Sequence, residues 1–193
     1  MIKSTSNKGI LNMKNFIYNE MMSHLPLCTH KEPKSVLIIS DSADELQKEV
    51  QKHDGIDLDI LGCGVEEISK AKDNQYDVVI CEDVVDAFGA THINRVLKDD
   101  GLLSMKHPPL DEIEANKTLM QILANYFKII MPYNLGNCST ALLASKEYHP
   151  TADIILQRAD MLDGLDYYNC DVHVGSFAMG NHIRREYLGI IKN

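Results

Sequence analysis

The stretch that most constrains this chain is Tyr76 to Asp86. Its apolar run, Val78 to Cys81, is short and rich in β-branched residues. Such a run reads as a strand buried on both faces, which calls for a parallel sheet covered by helices on either side. Three carboxylates follow at once: Glu82, Asp83 and Asp86. In an open α/β sheet, ligands bind outside the carboxyl ends of the strands. The cluster is therefore either a seat for a cationic substrate or a solvated strand-to-loop junction, and this stretch alone does not choose between them.

The rest of the chain repeats the alternation. Phe16, Ile17, Met21, Met22 and Leu25 recur at helical spacing, and Pro26 is expected to end or bend that helix. Ser35 to Ile39 is the first central strand. Asp41 or Ser42 is placed to cap a helix over Glu45 to Lys52, which Gly55 breaks. Ile56 to Leu61 reads as a strand with one more polar face, and Gly62-Cys63-Gly64 turns into a helix over Val65 to Lys72. After the strand Tyr76 to Cys81 come a helix over Thr91 to Leu97, a turn at Lys98 to Gly101 and a strand over Leu102 to Met105. The helix Asp111 to Asn125 is amphipathic, with acidic residues in its first turn. Phe127 to Met131 and Ser139 to Ala144 read as two strands, with Asn134 to Asn137 as the turn or loop between them. Thr151 to Leu162 is expected to be helical, and the tail from Asp171 irregular, then helical near Arg184 to Ile190. Residues 1–12 are polar, with only Gly9-Ile10-Leu11 suited to a short strand. The pattern predicts an α/β sheet with helices on both faces.

Composition excludes several function classes. With 193 residues there is enough chain for one domain with a real core. The formal net charge of −9 argues against a nucleic-acid partner. Five cysteines, an odd number with no C-x-x-C spacing, read as reduced thiols of a cytoplasmic protein. The eight histidines form no metal-binding helical pair. No apolar run approaches the ~20 residues a membrane span needs, and the N-terminus lacks the apolar core of a signal peptide. The turn after the first strand, Ser40 to Asp44, has no glycine, and its Asp41 and Asp44 would repel a pyrophosphate, which argues against a dinucleotide. Cys63 has no neighbour that would activate it as a nucleophile.

Two blocks carry a family resemblance. Asn15 to His30 followed by Pro33 to Ile39 resembles the spermidine synthase pattern E-F-x-Y-x-E-M, then L-P-L, then a first strand. Leu165 to Ala178 is similar to that family's Y-Y-N-x-x-x-H-x-x-A-F signature, and Tyr76 to Ile80 with Leu97 to Leu102 fits the stretch between. The chain reads as a divergent, N-terminally short relative, most like the similarly divergent members of epsilonproteobacteria. The resemblance implies a Rossmann-like, methyltransferase-type fold: a mostly parallel twisted sheet with a C-terminal antiparallel hairpin. The division it implies is a remnant N-terminal strand or tail over residues 1–14 and a single aminopropyltransferase domain over residues 15–193. Family members move an aminopropyl group from decarboxylated S-adenosylmethionine, a co-substrate, to putrescine, with no separate cofactor or metal. A homodimer is the implied assembly.

Residue by residue, the resemblance places the family's catalytic acid on Glu82. The second acid of that run falls on Val85, with Asp86 one place later. Tyr133 matches a loop tyrosine that positions the diamine, and Tyr18 and Asn19 match positions facing nucleoside and diamine. Asp83 and Asp86 complete the expected substrate side, and Asp41, Cys63 and Gly64 the donor side. Two departures stand out. The family's G-G-G-D-G turn is Ser40 to Asp44 here, and Gly62-Cys63-Gly64 fits its G-D-G turn with Cys63 in place of the adenine-reading acid. The strand bearing the ribose-binding acid is then missing. A catalytically impaired relative, serving as a polyamine-binding or scaffold subunit, is the alternative these departures raise.

Overall fold

The computed structural model describes residues 6–83, 85–136 and 139–193. Six strands, β1 (Ser35–Ile39), β2 (Asp57–Leu61), β3 (Tyr76–Cys81), β4 (Leu97–Met105), β5 (Ile129–Asn134) and β6 (Thr140–Ser145), form one sheet in the order β2-β1-β3-β4-β6-β5. The first four are parallel, and β6 runs antiparallel to both β4 and β5. The expected mostly parallel sheet with a C-terminal antiparallel hairpin is thus the observed one. The helices are α1 (Ser6–Thr29), α2 (Asp44–Val50), α3 (Val65–Ser69), α4 (Ala87–Val96), α5 (Ile113–Leu123), α6 (Leu156–Asp160), α7 (Cys170–Gly175) and α8 (Asn181–Glu186).

Alternation along the central strands explains why both faces are covered. Val36, Ile38, Val78, Ile80 and Leu102 point to one core, shared with α1 and α2. Leu37, Ile39, Val79, Cys81 and Leu103 point to the other, shared with α4 and α5. Each of these ten side chains is fully buried, and burying one Val, Leu or Ile contributes about 1.5–3 kcal/mol. The edge strand β2, with Asp57 and Asp59 exposed, is the polar one, as its alternation predicted.

Several boundaries differ from expectation, each for a physical reason. The short strand expected at Gly9-Ile10-Leu11 is not formed, because α1 begins at Ser6 and runs through it; residues 1–5 lie outside the described residues. Pro26 does not end α1. The turn beyond it is held by the His30 amide on the Pro26 carbonyl (3.0 Å) and by Arg158, which donates to the carbonyls of Leu27, His30 and Lys31. The turn expected at Lys98 to Gly101 is part of β4, which takes an irregular register there. A Cβ on Gly101 would stand 2.8 Å from Leu97 Cδ2 and 3.1 Å from the Lys98 carbonyl oxygen, so a larger residue there would have to push the Leu97 side chain aside. α4 starts four residues early because Asp86 caps it, accepting from the Gly89 amide at 2.8 Å. β5 starts two residues late because Phe127 closes the end of α5, its amide donating to the Leu123 carbonyl at 3.0 Å. The Asn137 end of the expected turn lies outside the described residues. The Thr151 to Leu162 helix shrinks to α6, and α7 forms in the tail read as irregular.

The fold also joins the two motif blocks. Glu20, in α1, is buried and accepts backbone N–H groups of Asp166, Tyr167 and Tyr168 at 2.7–2.9 Å. Three N–H donors on one carboxylate fix the C-terminal segment against the first helix.

Candidate active site at the carboxyl edge

The chain leaves β1 towards β2 on one side and returns across the sheet to β3 on the other. The switch point, where such sheets bind ligands, therefore lies between the ends of β1 and β3. Ile39 pairs with Cys81, and Cys81 with Met105, so the next residues, Ser40, Glu82 and Lys106, form a row across three strand ends. Ile39, Cys81 and Met105 face the α4–α5 side. By alternation the row faces the opposite side, where α1 packs.

Glu82 is the centre of that row. The Ser40 hydroxyl donates to its Oε2, and Lys106 Nζ lies 3.0 Å from its Oε1. Lys106 Nζ also stands 5.2 Å above the Tyr18 ring, within cation–π range. The Tyr18 hydroxyl is buried beside the Glu82 carboxylate and closes no hydrogen bond of normal geometry. Burial pushes the Glu82 carboxyl up, but the Ser40 hydroxyl, Lys106 and, more weakly, Tyr18 outweigh it and hold it below the ordinary carboxylate value. Burial, then the charge of Glu82, push the Tyr18 hydroxyl well above its ordinary range. The pair is thus an ionised carboxylate against a protonated phenol. Asn19, next along α1, is half-buried.

The acidic cluster divides. Asp83 and Asp86 line a cleft of about 210 Å³ with Gly64, Val65, Ile68, Cys81, Val85 and Gly89, on the α3–α4 side. Asp41 bridges the ends of β1 and β2, accepting from the Cys63 amide at 2.9 Å. Gly64, at φ 109°, adopts a conformation that suits glycine as the chain enters α3. Burial and then the charge of Asp41 raise the Cys63 thiol, so it is a weak nucleophile, as its sequence context indicated. The structure thus gathers Asp41, Cys63, Gly64, Asp83 and Asp86 around one edge, but Glu82 and Tyr18 on the other face of it.

Tyr133 departs from its expected place. It lies inside β5, not in a loop, and is fully buried. Its hydroxyl pairs with Ser104 Oγ at 2.7 Å and reaches Met22 Sδ at 3.2 Å, and its ring packs on Phe177. It belongs to the same packed region as Tyr18 but has no contact with solvent. Sequence reasoning missed Ser40 and Lys106. The signal for them was register: three parallel strands ending level put the next residue of each in one row.

At the amino edge, His30, Asp77 and Asp100 converge as three possible metal ligands. Lys98 Nζ already bonds both Asp77 oxygens, at 2.9 and 3.0 Å. The Glu32 amide donates to His30 Nδ1 at 3.2 Å, which leaves the ring proton on Nε2, the atom facing the carboxylates. The group is thus built as an Asp77–Lys98 ion pair beside a buried imidazole that burial holds neutral.

A carboxylate at the switch point of a mostly parallel sheet, facing an aromatic helix residue and flanked by a cleft of about 210 Å³, fits a methyltransferase-like Rossmann domain. Residues 15–84 match the spermine/spermidine synthase domain. A polyamine aminopropyltransferase of Helicobacter acinonychis is 27% identical, over 89% of this chain and 77% of the relative. The crystal structure of spermidine synthase from Thermotoga maritima superposes with a TM-score of 0.78 at 26% identity, over 91% of this chain and 75% of that one. A spermidine synthase in complex with the transition-state analogue AdoDATO superposes with a TM-score of 0.79 at 25% identity, over 91% and 76%. In sequence over residues 15–84, and in fold over most of its length, the chain is similar to the spermidine synthase family of polyamine aminopropyltransferases. No helix among the described residues is long and apolar enough to cross a membrane.

Proposed function

We propose that this chain transfers an aminopropyl group from decarboxylated S-adenosylmethionine to putrescine, giving spermidine and methylthioadenosine. The observation that supports this most directly is the ionised Glu82 at the switch point, facing Tyr18. The seated ammonium gives a proton to Glu82, and the lone pair so freed attacks the carbon bonded to the sulfonium. The C–S bond breaks, its electron pair stays on sulfur, and neutral methylthioadenosine leaves. The new C–N bond leaves a secondary ammonium, and Glu82 passes its proton to solvent. In this reading the Asp83–Asp86 cleft, with the Asp41–Cys63–Gly64 turn at its rim, takes the donor nucleoside. Tyr18 and Asn19 wall the amine side, and Tyr133 packs in the core rather than touching substrate. Co-substrates suffice without a further cofactor, and the reading carries with it a homodimer in the cytoplasm.

The test is methylthioadenosine release from purified protein with both substrates. Glu82→Gln is expected to abolish release while leaving the fold intact. Retained turnover in that variant removes Glu82 from the base role, and no release by the unaltered chain, together with no donor binding by calorimetry, ends the catalytic reading. The second reading, an impaired relative that binds polyamine or scaffolds a partner, is favoured by one feature: both Glu82 oxygens are already engaged, by Ser40 and Lys106. Polyamine binding without donor binding, or co-purification with a full-length synthase, would select it.

A further inference from the structure

A seat for an alkylammonium needs a carboxylate to neutralise it and an aromatic face to replace part of its hydration. Glu82 and the Tyr18 ring supply both, and both are taken by the chain's own ammonium: Lys106 Nζ is 3.0 Å from Glu82 Oε1 and 5.2 Å from the Tyr18 ring centroid. The other carboxylate oxygen, Oε2, is committed to Ser40. The geometry points to Lys106 as a built-in occupant of the amine seat, a specificity-determining residue that an entering polyamine must displace. This rests on the reading above in one respect, that the Glu82 side of the edge receives an amine.

The chemistry of the exchange follows. One alkylammonium replaces another, so the incoming amine gains little Coulomb attraction beyond what Lys106 gives up. With Lys106 in place, Glu82 and Lys106 sum to zero charge, so the pair itself offers a second cation no net attraction. Lys106 is able to leave: its side chain is 45% exposed, against 17% for Glu82, and an ammonium on a four-carbon stem reaches water by rotation about its own bonds. The carboxylate is therefore the fixed half of the pair and the ammonium the movable half.

The experiment is calorimetric titration of putrescine into the unaltered chain, Lys106→Gln and Lys106→Met, each shown folded by its melting curve. Methionine keeps an unbranched stem over Tyr18 while removing the charge, so one variant covers for the other if packing is disturbed. Removing the occupant is expected to tighten putrescine binding at least about 10-fold, an effect of about 1.4 kcal/mol. Lys106→Arg, which keeps a cation, stays near the unaltered value, and adding Glu82→Gln to Lys106→Gln abolishes the gain. Unchanged or weaker binding in both neutral variants would overturn the inference and leave Lys106–Glu82 a structural ion pair. Methylthioadenosine release is read separately. Tighter amine binding without release upholds the occupant and ends the transfer reading, whereas release whose putrescine KM ignores Lys106→Gln does the reverse.

Discussion

The neighbouring strands β3 and β4 carry a carboxylate–ammonium pair at each end, and the two pairs are built differently. At the amino edge, Asp77 on β3 meets Lys98 on β4; at the carboxyl edge, Glu82 just past β3 meets Lys106 just past β4. Both carboxyls are held below their ordinary values against the burial that raises them. Asp77, however, also accepts two backbone amides, Lys34 at 2.9 Å and Ser35 at 2.8 Å, which lock it to the start of β1. Among the described residues Glu82 is held by side chains alone: a hydroxyl, an ammonium and a phenol that completes no bond. Backbone donors cannot be exchanged without unfolding the strand end, whereas side-chain donors can swing away. One pair is therefore a fastening, and the other has the makings of a binding seat.

Stability is the sharpest way to break this comparison. Asp77→Asn leaves Lys98 and His30 facing a neutral group and is expected to cost about 3 kcal/mol, in the range for breaking a buried pair, read as a lowered midpoint in chemical denaturation. Glu82→Gln, more open to water and still able to meet Ser40, should cost less than ~1 kcal/mol while removing turnover. Equal losses in the two variants would make both pairs structural.

Tyr133→Phe tests the boundary between seat and core. The hydroxyl it removes is paired with Ser104, and Ser104 keeps a second partner in Met22 Sδ at 3.5 Å. The expected cost is about 1 kcal/mol, the net worth of one buried hydrogen bond. Turnover should stay within a few-fold of the unaltered chain, because the phenol is paired inside the core and contacts no solvent. A loss of turnover as complete as that of Glu82→Gln would return Tyr133 to the site.

What was legible in the sequence follows from this contrast. Period-two burial and β-branched runs located all six strands, because those signals are local. Glu82 was legible as an acid at a strand end, and the resemblance gave it a role. Its division from Asp83 and Asp86 was not legible as a cluster property, since Asp83 turns to the face opposite Glu82 and Asp86 is carried to that side as the cap of α4. Ser40 and Lys106 were hidden for a different reason: their relation to Glu82 exists only in the register of β1, β3 and β4, which no local window contains. Tyr133 misled because β5 runs on past Met131 to pair Pro132, Tyr133 and Asn134 with Leu142, Ala141 and Thr140 of β6, a contact between elements. Glu20 lay inside a recognised motif, yet its work, holding the segment of the second motif, appears only when both ends of the chain meet.

The smallest expected effect is a change in slope with pH, and it sharpens the same comparison. A carboxyl whose folded value is depressed contributes stability that is fully present above its ordinary value and is lost as pH falls through the lower, folded one. For Asp77 and Glu82 that window opens below the ordinary values of 3.8 and 4.5. The buried His53, driven by burial down to about 3, and His173, down to about 4, also favour the fold when neutral. Their contribution starts to fall earlier, as pH drops below the ordinary histidine value of 6.5. Melting temperature should therefore decline gently from pH 6.5 and more steeply below about 4.5. Asp77→Asn should flatten only the lower limb, and Glu82→Gln should flatten it less, since water screens the more exposed pair. Added putrescine divides the limbs further: it should raise the melting temperature of Lys106→Gln at neutral pH and lose that effect as Glu82 protonates. An equal rise in Asp77→Asn and Glu82→Gln would show that the amine binds somewhere other than this edge.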